Sequence, residues 1–214
     1  MARLIKNETV ELFGKNATVP FINGCDNSYH PCQILADALT ILEKFGTLDV
    51  NLMYIGAKNN VFNSHVEFFS KMKKGTLYGL TPLVNETACG PDFYEEAKKS
   101  GHYIELDPSM SMEEAKEYAN KMDVLYTDTW VDMEFFNNPA YQKQKEETLA
   151  KMMPYQLNGD FTKDSKAIVF HDMPMHVGFE ISQDVVDKNL DHILDEAENR
   201  RHAEKAVMYT LLNS

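Results

Sequence analysis

The sequence has little cysteine, a shortage of basic residues and no long apolar run. Its three cysteines, Cys25, Cys32 and Cys89, are too few and too irregularly spaced for a disulfide framework or a structural zinc site. No apolar stretch approaches the roughly 18 residues that span a bilayer, and the first residues lack the apolar core of a secretion signal. These absences predict a cytoplasmic protein without membrane spans or a bound metal.

The 33 acidic residues outnumber the 21 basic ones, which gives a formal net charge of −12. Nucleic-acid binding is therefore disfavoured, because phosphate neutralisation requires many Lys and Arg on one surface. The acidity favours solubility. A second interpretation is that some of the acids surround a site for a cationic substrate.

Short β-rich runs alternate with longer helical segments, a pattern typical of βαβ units on a parallel sheet. Strands are predicted at 18–22, 52–55, 76–80, 102–106, 124–126 and 167–170. Helices are predicted around 10–13 and at 31–45, 63–73, 92–100, 143–153 and 197–212, with another starting at Ser111. The predicted class is therefore α/β with a doubly wound parallel sheet.

Polar residues follow three predicted strands at the point where each strand ends. They are Asn59 and Asn60 after the strand at 52–55, residues 127–130 after the strand at 124–126, and residues 171–174 after the strand at 167–170. Ligands of open parallel sheets bind beyond the carboxyl ends of the strands, so these stretches predict a site at one edge. The asparagines have two interpretations: they cap the next helix, or they offer an amide to a substrate's carboxylate and ammonium.

Three other candidate sites are weaker. Gly56 suggests dinucleotide binding, but the Gly-x-Gly-x-x-Gly spacing and the ribose-binding acid are missing, so a nucleotide site is the weakest alternative. His176 and Glu180 are spaced as a metal pair without an evident third ligand. Cys32 has no evident His–Asp arrangement to activate it as a nucleophile.

His30-Pro31-Cys32-Gln33 begins a predicted helix. Proline favours the first helical position, so His30 takes the N-cap position and Gln33 can lie on the same face of the helix tip. Free amides and the positive end of the helix dipole suit a polarised carbonyl or a phosphate there. The simpler interpretation, that His30 only caps the helix, is at least as well supported by these residues.

Four motifs, in this order along the chain, resemble one known family. They are His30-Pro31-Cys32-Gln33-Ile34-Leu35-Ala36-Asp37, the run from Gly56 to Asn60 with Asn63-Ser64, Thr127-Asp128-Thr129-Trp130, and Asp195-Glu196-Ala197-Glu198-Asn199-Arg200. Together they resemble ornithine carbamoyltransferase, of the aspartate/ornithine carbamoyltransferase superfamily. The resemblance implies a doubly wound C-terminal domain with a remnant of a second α/β domain. It divides the chain into a carbamoyl phosphate-binding remnant and linking helix (1–45), an amino-acid-binding domain (46–196) and a C-terminal helix packing back toward the first domain (197–214).

The resemblance also implies the reaction, which transfers a carbamoyl group from carbamoyl phosphate to an amine without a metal or organic cofactor. Carbamoyl phosphate would then be bound by Arg3, His30, Gln33, Arg200 and the backbone carbonyls of Asp172 and Met173. The amino-acid co-substrate would be bound by Asn60, Asp128, Asp132, Met133 and Asp172. The catalytic set would be Arg3, His30, Gln33, Asp128 and Asp172.

The sequence departs from the family pattern in three places. No Ser-Thr-Arg-Thr phosphate loop is found, so we expect most of the first domain to be missing and the chain alone to be inactive or nearly so. The family's His-Cys-Leu-Pro is His171-Asp172-Met173-Pro174 here, which adds a carboxylate beside Asp128. Two acids can hold a cationic amine or guanidinium, although they also raise the pKa of that amine. Residues 132–134 replace the family's Ser-Met-Gly. Because the glycine is lost, the loop that these residues form should be stiffer.

Three hypotheses follow from these residues. The first is a carbamoyltransferase for an ornithine-like amine, acting as a homotrimer or with a partner chain that supplies the missing domain. The second is a non-catalytic remnant or binding module for a cationic amino acid. The third is a nucleotide-binding α/β domain.

Overall fold

The computed structural model describes residues 5–131 and 136–213. Its strands are β1 (Asn51–Lys58), β2 (Thr76–Val84), β3 (Tyr103–Glu105), β4 (Val124–Thr127) and β5 (Ile168–His171). Its helices are α1 (Asn7–Asn16), α2 (Pro31–Phe45), α3 (Asn60–Met72), α4 (Pro91–Lys98), α5 (Met112–Ala119), α6 (Gln142–Met152) and α7 (Gln183–Leu212), with 3-10 turns at Pro139–Tyr141 and Met153–Tyr155.

The strands form a parallel sheet in the order β3-β2-β1-β4-β5. Helices cover both of its faces, which explains why the strands read as continuous apolar runs. In β1, Leu52 and Tyr54 pack against α2, α3 and α4 on one face. Met53 and Ile55 pack against α5 and α7 on the other. The predicted α/β class with a doubly wound parallel sheet is confirmed.

The strand predicted at 18–22 is wrong. This segment has no strand structure, and Val19 and Phe21 are exposed. No described strand lies beside it, so its backbone has no ladder of hydrogen bonds to join.

Helix α7 is one continuous helix of 30 residues, so the predicted start at residue 197 is wrong and Gln183 begins it. The early part of the helix was missed because Asn189 and Glu196 are buried on its apolar face and interrupt the apolar period. The division into 1–45, 46–196 and 197–214 stays a prediction, but its last boundary falls inside this helix.

Strands β1 and β2 are longer than predicted, and β2 continues through Pro82 to Val84. Proline is tolerated there because β3 pairs only with Leu77–Gly79 and leaves that side of β2 without a neighbouring strand. Within the described residues, no helix has both the length and the apolar character that crossing a bilayer requires.

Candidate active site

A cavity of about 650 Å³ opens at the carboxyl edge of the sheet. The strand order reverses between β1 and β4, because the chain adds β2 and β3 on one side of β1 and then β4 and β5 on the other. Loops after β1 and β4 diverge at such a point and leave a crevice. Residues after β1, β4 and β5, the tip of α2 and one side of α6 line the cavity.

Asn59 and Asp128 meet at this reversal. Asn59 is the N-cap of α3, where its Oδ1 accepts a hydrogen bond from Phe62 N at 2.9 Å. Its Nδ2 donates to Asp128 Oδ2 at 2.6 Å. Asp128 Oδ1 accepts from the backbone N–H of Thr129 at 2.5 Å and from its hydroxyl at 3.3 Å. Three donors therefore face the Asp128 carboxyl, which is almost fully buried.

Asp172 lies beside Asp128 and also lines the cavity. Its side chain is 12% exposed, and its Oδ1 has no hydrogen-bond partner. Burial, the charge of Asp128 and a hydrogen bond to that carboxyl raise the pKa of Asp172 well above its usual range. The neighbouring charge of Asp128 therefore favours the protonated form of Asp172.

His171 holds the loop that carries Asp172. Its ring is buried, with Nδ1 accepting from Met173 N at 3.0 Å and Nε2 lying 3.2 Å from Glu180 Oε1. Because a backbone N–H can only donate, this hydrogen bond assigns the ring proton to Nε2. Met173 takes a left-handed conformation, with φ of 53°, and turns the chain at the cavity wall.

His30 lies at the N-cap of α2 and lines the cavity. Its backbone N–H donates to Ser64 Oγ at 2.7 Å. The side chain makes no capping hydrogen bond, so the interpretation that it only caps the helix is not supported. Burial and the nearby Arg200 guanidinium lower the pKa of the ring, which is therefore neutral at pH 7, and Nδ1 has no partner.

Gln33 faces α7 rather than the cavity. Its side chain is fully buried, and its Nε2 donates to Asp37 Oδ1 at 2.8 Å and to Glu196 Oε1 at 3.0 Å. Its Oε1 accepts from Arg200 Nη1 at 2.9 Å. Gln33 and Arg200, both predicted to bind carbamoyl phosphate, are therefore brought together, but behind the residues that line the cavity.

Two buried acids near Gln33 were missed from the sequence. Glu196 accepts from the backbone N–H of His171 at 2.9 Å and from Gln33, so it joins α7 to β5 and α2. Burial and the neighbouring Asp37 raise the pKa of Glu196 well above its usual range. Asp37 and Glu196 both lie in motifs that resemble the family, but their burial was not expected, because Asp and Glu on helices are usually exposed.

Asn60 lines the cavity, and its Nδ2 donates to Asp26 O at 2.9 Å. Trp130 also lines the cavity, and its Nε1 is buried without a hydrogen-bond partner. The structure thus brings five predicted site residues to one cavity: His30, Asn60, Asp128, Asp172 and Met173. The predicted residues Arg3, Asp132 and Met133 lie outside the described residues.

Two of the weaker candidates from the sequence, the His176–Glu180 pair and Cys32, are not supported as sites. Glu180 accepts from the backbone N–H of His176 and contacts the ring of His171, so it does not pair with the His176 ring around a metal. Over residues 5–131 and 136–213, no cluster of His, Cys, Asp or Glu is arranged to hold a metal ion. Burial raises the pKa of the Cys32 thiol, which makes it a poor nucleophile at neutral pH.

Comparison with known proteins identifies the two parts of the chain. Residues 48–211 match the family model described as "Aspartate/ornithine carbamoyltransferase, Asp/Orn binding domain". Residues 1–43 match the model described as "Aspartate/ornithine carbamoyltransferase, carbamoyl-P binding domain". The chain belongs to the aspartate/ornithine carbamoyltransferase family. The resemblance of its motifs to this family is thereby confirmed.

Members named ornithine carbamoyltransferase are similar over nearly the whole chain. The Chlorobaculum tepidum protein is 36% identical, with 100% of this chain and 60% of the relative covered. The Archaeoglobus fulgidus protein is 34% identical, with 99% and 66% covered. The solved structure from Pyrococcus furiosus has a TM-score of 0.78 and 34% identity, covering 97% of this chain and 64% of that one. The chain thus spans about 60 to 66% of the length of these curated relatives.

Proposed function

We propose that the chain takes part in carbamoyl transfer from carbamoyl phosphate to the terminal amine of an ornithine-like amino acid. The products are a ureido amino acid of the citrulline type and phosphate. One observation carries the proposal: a single cavity joins the neutral ring of His30 to the carboxyl pair of Asp128 and Asp172. A donor suited to a carbonyl and acids suited to an amine therefore line the same space.

The α2 end of the cavity is assigned to carbamoyl phosphate. His30 directs a neutral ring at the carbonyl oxygen, where a hydrogen bond stabilises the negative charge that develops during attack. Arg200 has a buried Nε without a partner and supplies positive charge to the phosphate. Gln33 positions Arg200 through the bond to its Nη1. Arg3 and the carbonyls of Asp172 and Met173 complete the proposed set.

The opposite end is assigned to the amino acid. Asp128 and Asp172 bind its terminal amine, and Asn60 offers an amide to its backbone groups. Asp132 and Met133 are proposed to contact the same substrate. With both substrates held, the reaction depends on the approach of the amine nitrogen to the carbonyl carbon, which positioning accelerates strongly.

The proposed assembly is a homotrimer, or a complex with a chain that supplies further carbamoyl phosphate-binding groups. Exposed apolar side chains on α1 and the segment after it support an assembly. They are Leu12, Phe13, Val19 and Phe21. The reducing cytoplasm stays the proposed location, which agrees with three free cysteines.

The test measures binding of L-ornithine and carbamoyl phosphate by calorimetry, together with citrulline formation. We expect both ligands to bind and Asp128→Asn to weaken ornithine binding by about 10- to 100-fold, since a charge-assisted hydrogen bond is worth roughly 1.5–3 kcal/mol. Asp164→Asn changes an exposed carboxyl outside the cavity and is the matched control, with unchanged affinity. Failure of both ligands to bind would overturn the proposal. Citrulline formation at ordinary rates would instead refute the expected inactivity of the chain alone.

A further inference from the structure

A buried polar cluster lies behind the cavity, where side chains from α2, α3, α7 and β4 meet. Its members, each at most 2% exposed, are Gln33, Asp37, His65, Tyr126 and Glu196. Buried polar groups depend on their partners for their orientation, so such a cluster fixes its members in one arrangement. His65 and Asp37 do not line the cavity. They can therefore act on a bound molecule only through other side chains.

The amide of Gln33 has one favourable orientation in this cluster. Its Nε2 donates to Asp37 Oδ1 at 2.8 Å and to Glu196 Oε1 at 3.0 Å. Its Oε1 accepts from Arg200 Nη1 at 2.9 Å. Turning the amide by 180° would place Oε1 against two carboxyl groups and Nε2 against a guanidinium, which has no acceptor. The two acids therefore direct the acceptor atom of Gln33 toward Arg200.

His65 contacts the other oxygen of Asp37, with its Nε2 lying 3.2 Å from Asp37 Oδ2. The other ring nitrogen, Nδ1, lies 3.1 Å from Val61 O, and it carries a hydrogen because a carbonyl oxygen can only accept. Nε2 and Oδ2 have no aligned hydrogen-bond partner. Since two buried lone pairs at this distance would repel each other, one of the two atoms carries a hydrogen that faces the other.

Packing holds the ring of His65 in place. Its centroid lies 4.5 Å from that of Tyr126, with the rings edge to face, and 5.8 Å from that of Tyr54. Both tyrosines are fully buried in the sheet. Because interiors are close-packed, a ring in this position has little freedom to move. His65 thus offers Asp37 a fixed partner, and Asp37 in turn offers one to Gln33.

The position of Arg200 depends mainly on Gln33. Its second contact is from Nη2 to Glu204 Oε1 at 3.1 Å, one turn further along α7. Both of these side chains are partly exposed, and exposed pairs at this spacing contribute little. The contact with Gln33 involves a fully buried partner. It is therefore the contact that determines where the guanidinium lies.

We propose that the buried pair of His65 and Asp37 positions Arg200 through Gln33 and so prepares the guanidinium for the phosphate of carbamoyl phosphate. The inference rests on the proposed function for its ligand. Both are positioning residues, since they act through Gln33. Without the pair, Gln33 keeps only Glu196 as an acceptor and its amide can turn. Arg200 would then have to be immobilised when the ligand binds, which lowers the affinity.

The test compares variants of the full chain. His65→Met removes the ring nitrogens, whereas His65→Gln keeps an N–H donor for Asp37. Removing one partner of a buried pair is strongly destabilising, but removing both is often tolerated. The double substitution Asp37→Leu with His65→Met is therefore made as well. His102→Met is the matched control, because His102 directly precedes β3 at the end of the sheet opposite the cavity.

The first measurement is nitrogen-15 NMR of the Arg200 guanidinium without ligand. A fixed guanidinium gives separate Nη1 and Nη2 signals, which are assigned by their loss in Arg200→Lys. We expect separate signals in the unsubstituted chain, in His65→Gln and in His102→Met, and averaged signals in His65→Met and the double variant. Averaged signals in the unsubstituted chain, or separate signals in the double variant, would overturn the inference.

The second measurement is calorimetric titration with carbamoyl phosphate and with L-ornithine. His65→Met and the double variant should weaken carbamoyl phosphate binding by about 3- to 10-fold, the cost of immobilising one long side chain. Ornithine affinity should change by less than about twofold, because its proposed site is separate. In a Gln33→Ala background, His65→Met should have no further effect on carbamoyl phosphate. A further effect there, or equal weakening of both ligands, would contradict the positioning role.

The two measurements separate the inference from the proposed function. If carbamoyl phosphate does not bind the unsubstituted chain but the Arg200 signals respond as expected, the proposed function loses its ligand and the positioning of Arg200 stands. If carbamoyl phosphate binds all variants equally, the proposed function stands and the inference fails. A His65→Gln variant that behaves like His65→Met would also count against the pair.

Discussion

The carboxyl group of Glu196 lies where three elements meet: α7, which carries it, β5 through the His171 N–H, and α2 through Gln33. It is fully buried beside Asp37. A buried acid whose pKa is raised binds a proton in the folded state that it has lost in the unfolded state. Its ionisation therefore opposes folding.

This property gives a testable dependence of stability on pH. The pKa of Glu196 is raised above 4.5, so its contribution is fully present below that value and is lost as the pH rises toward the raised value. We expect the free energy of unfolding, measured with urea between about pH 5 and 8, to fall with pH. Glu196→Gln cannot ionise, so it should show a flatter decline. Asp172 acts in the same direction and accounts for part of the remaining slope.

Glu198→Gln is the matched control, because Glu198 lies on the same helix with its side chain 60% exposed. It should keep the pH slope of the unsubstituted chain. Equal slopes for Glu196→Gln and the unsubstituted chain would contradict the role assigned to burial.

Part of the site was predictable residue by residue. Asp128 and Asp172 follow strands that the apolar runs identify, and parallel strands bring their carboxyl ends to one edge. The direction of Gln33 was not predictable, because its partners Glu196 and Arg200 are more than 160 residues away along the chain. Helical spacing indicates which residues can share a face, but the packing of α7 determines which face is buried.

At the scale of elements, the turn between α3 and β2 depends on Gly75. Its φ of +64° is unfavourable for other residues, and a Cβ there would lie 2.2 Å from Val50 O. The helix predicted at 63–73 ends at Met72, and Lys73, not Gly75, takes the left-handed cap conformation. Gly75 instead allows the chain to enter β2 close to the backbone of Val50, the residue that precedes β1.

We expect Gly75→Ala to lower the free energy of unfolding by clearly more than Gly101→Ala. Gly101 also has a positive φ, of +77°, but an added Cβ there meets no atom within 4 Å. Gly101→Ala should therefore cost only the conformational penalty of roughly 1–2 kcal/mol, and Gly75→Ala that penalty plus displacement of the Val50 backbone. Urea denaturation of both variants measures the difference. Equal losses would show that the turn relaxes without cost.

Most helices and strands were predictable because their residue types suit the buried or capping positions that they occupy. The strands are apolar because two layers of helices cover them, and Ser111 caps α5 by accepting from Glu114 N. The predicted strand at 18–22 failed because strand-forming residues need a neighbouring strand, which the local sequence cannot show.

At the scale of the whole molecule, α1 contributes no buried residue, and Leu12 and Phe13 are 64% and 60% exposed. If a second copy covers this helix in the proposed homotrimer, the double substitution Leu12→Ser with Phe13→Ser should lower the mass measured by light scattering. The unfolding free energy should stay within about 0.5 kcal/mol, because exposed positions contribute little.

Lys15→Ser is the control, since it changes an exposed residue of the same helix and should keep the mass of the unsubstituted chain. A mass that matches one chain before any substitution would exclude self-assembly. An unchanged larger mass after the double substitution would place the contact elsewhere on the surface.

The unbroken course of α7 has a mechanical consequence. A helix rises by about 1.5 Å per residue, so the end of α7 at Leu212 lies roughly 24 Å from Glu196. A tilt of about 5° around the Glu196 contacts would move that end by about 2 Å over this length. A rearrangement at the Glu196 contacts that tilts α7 would therefore be enlarged at the far end of the helix.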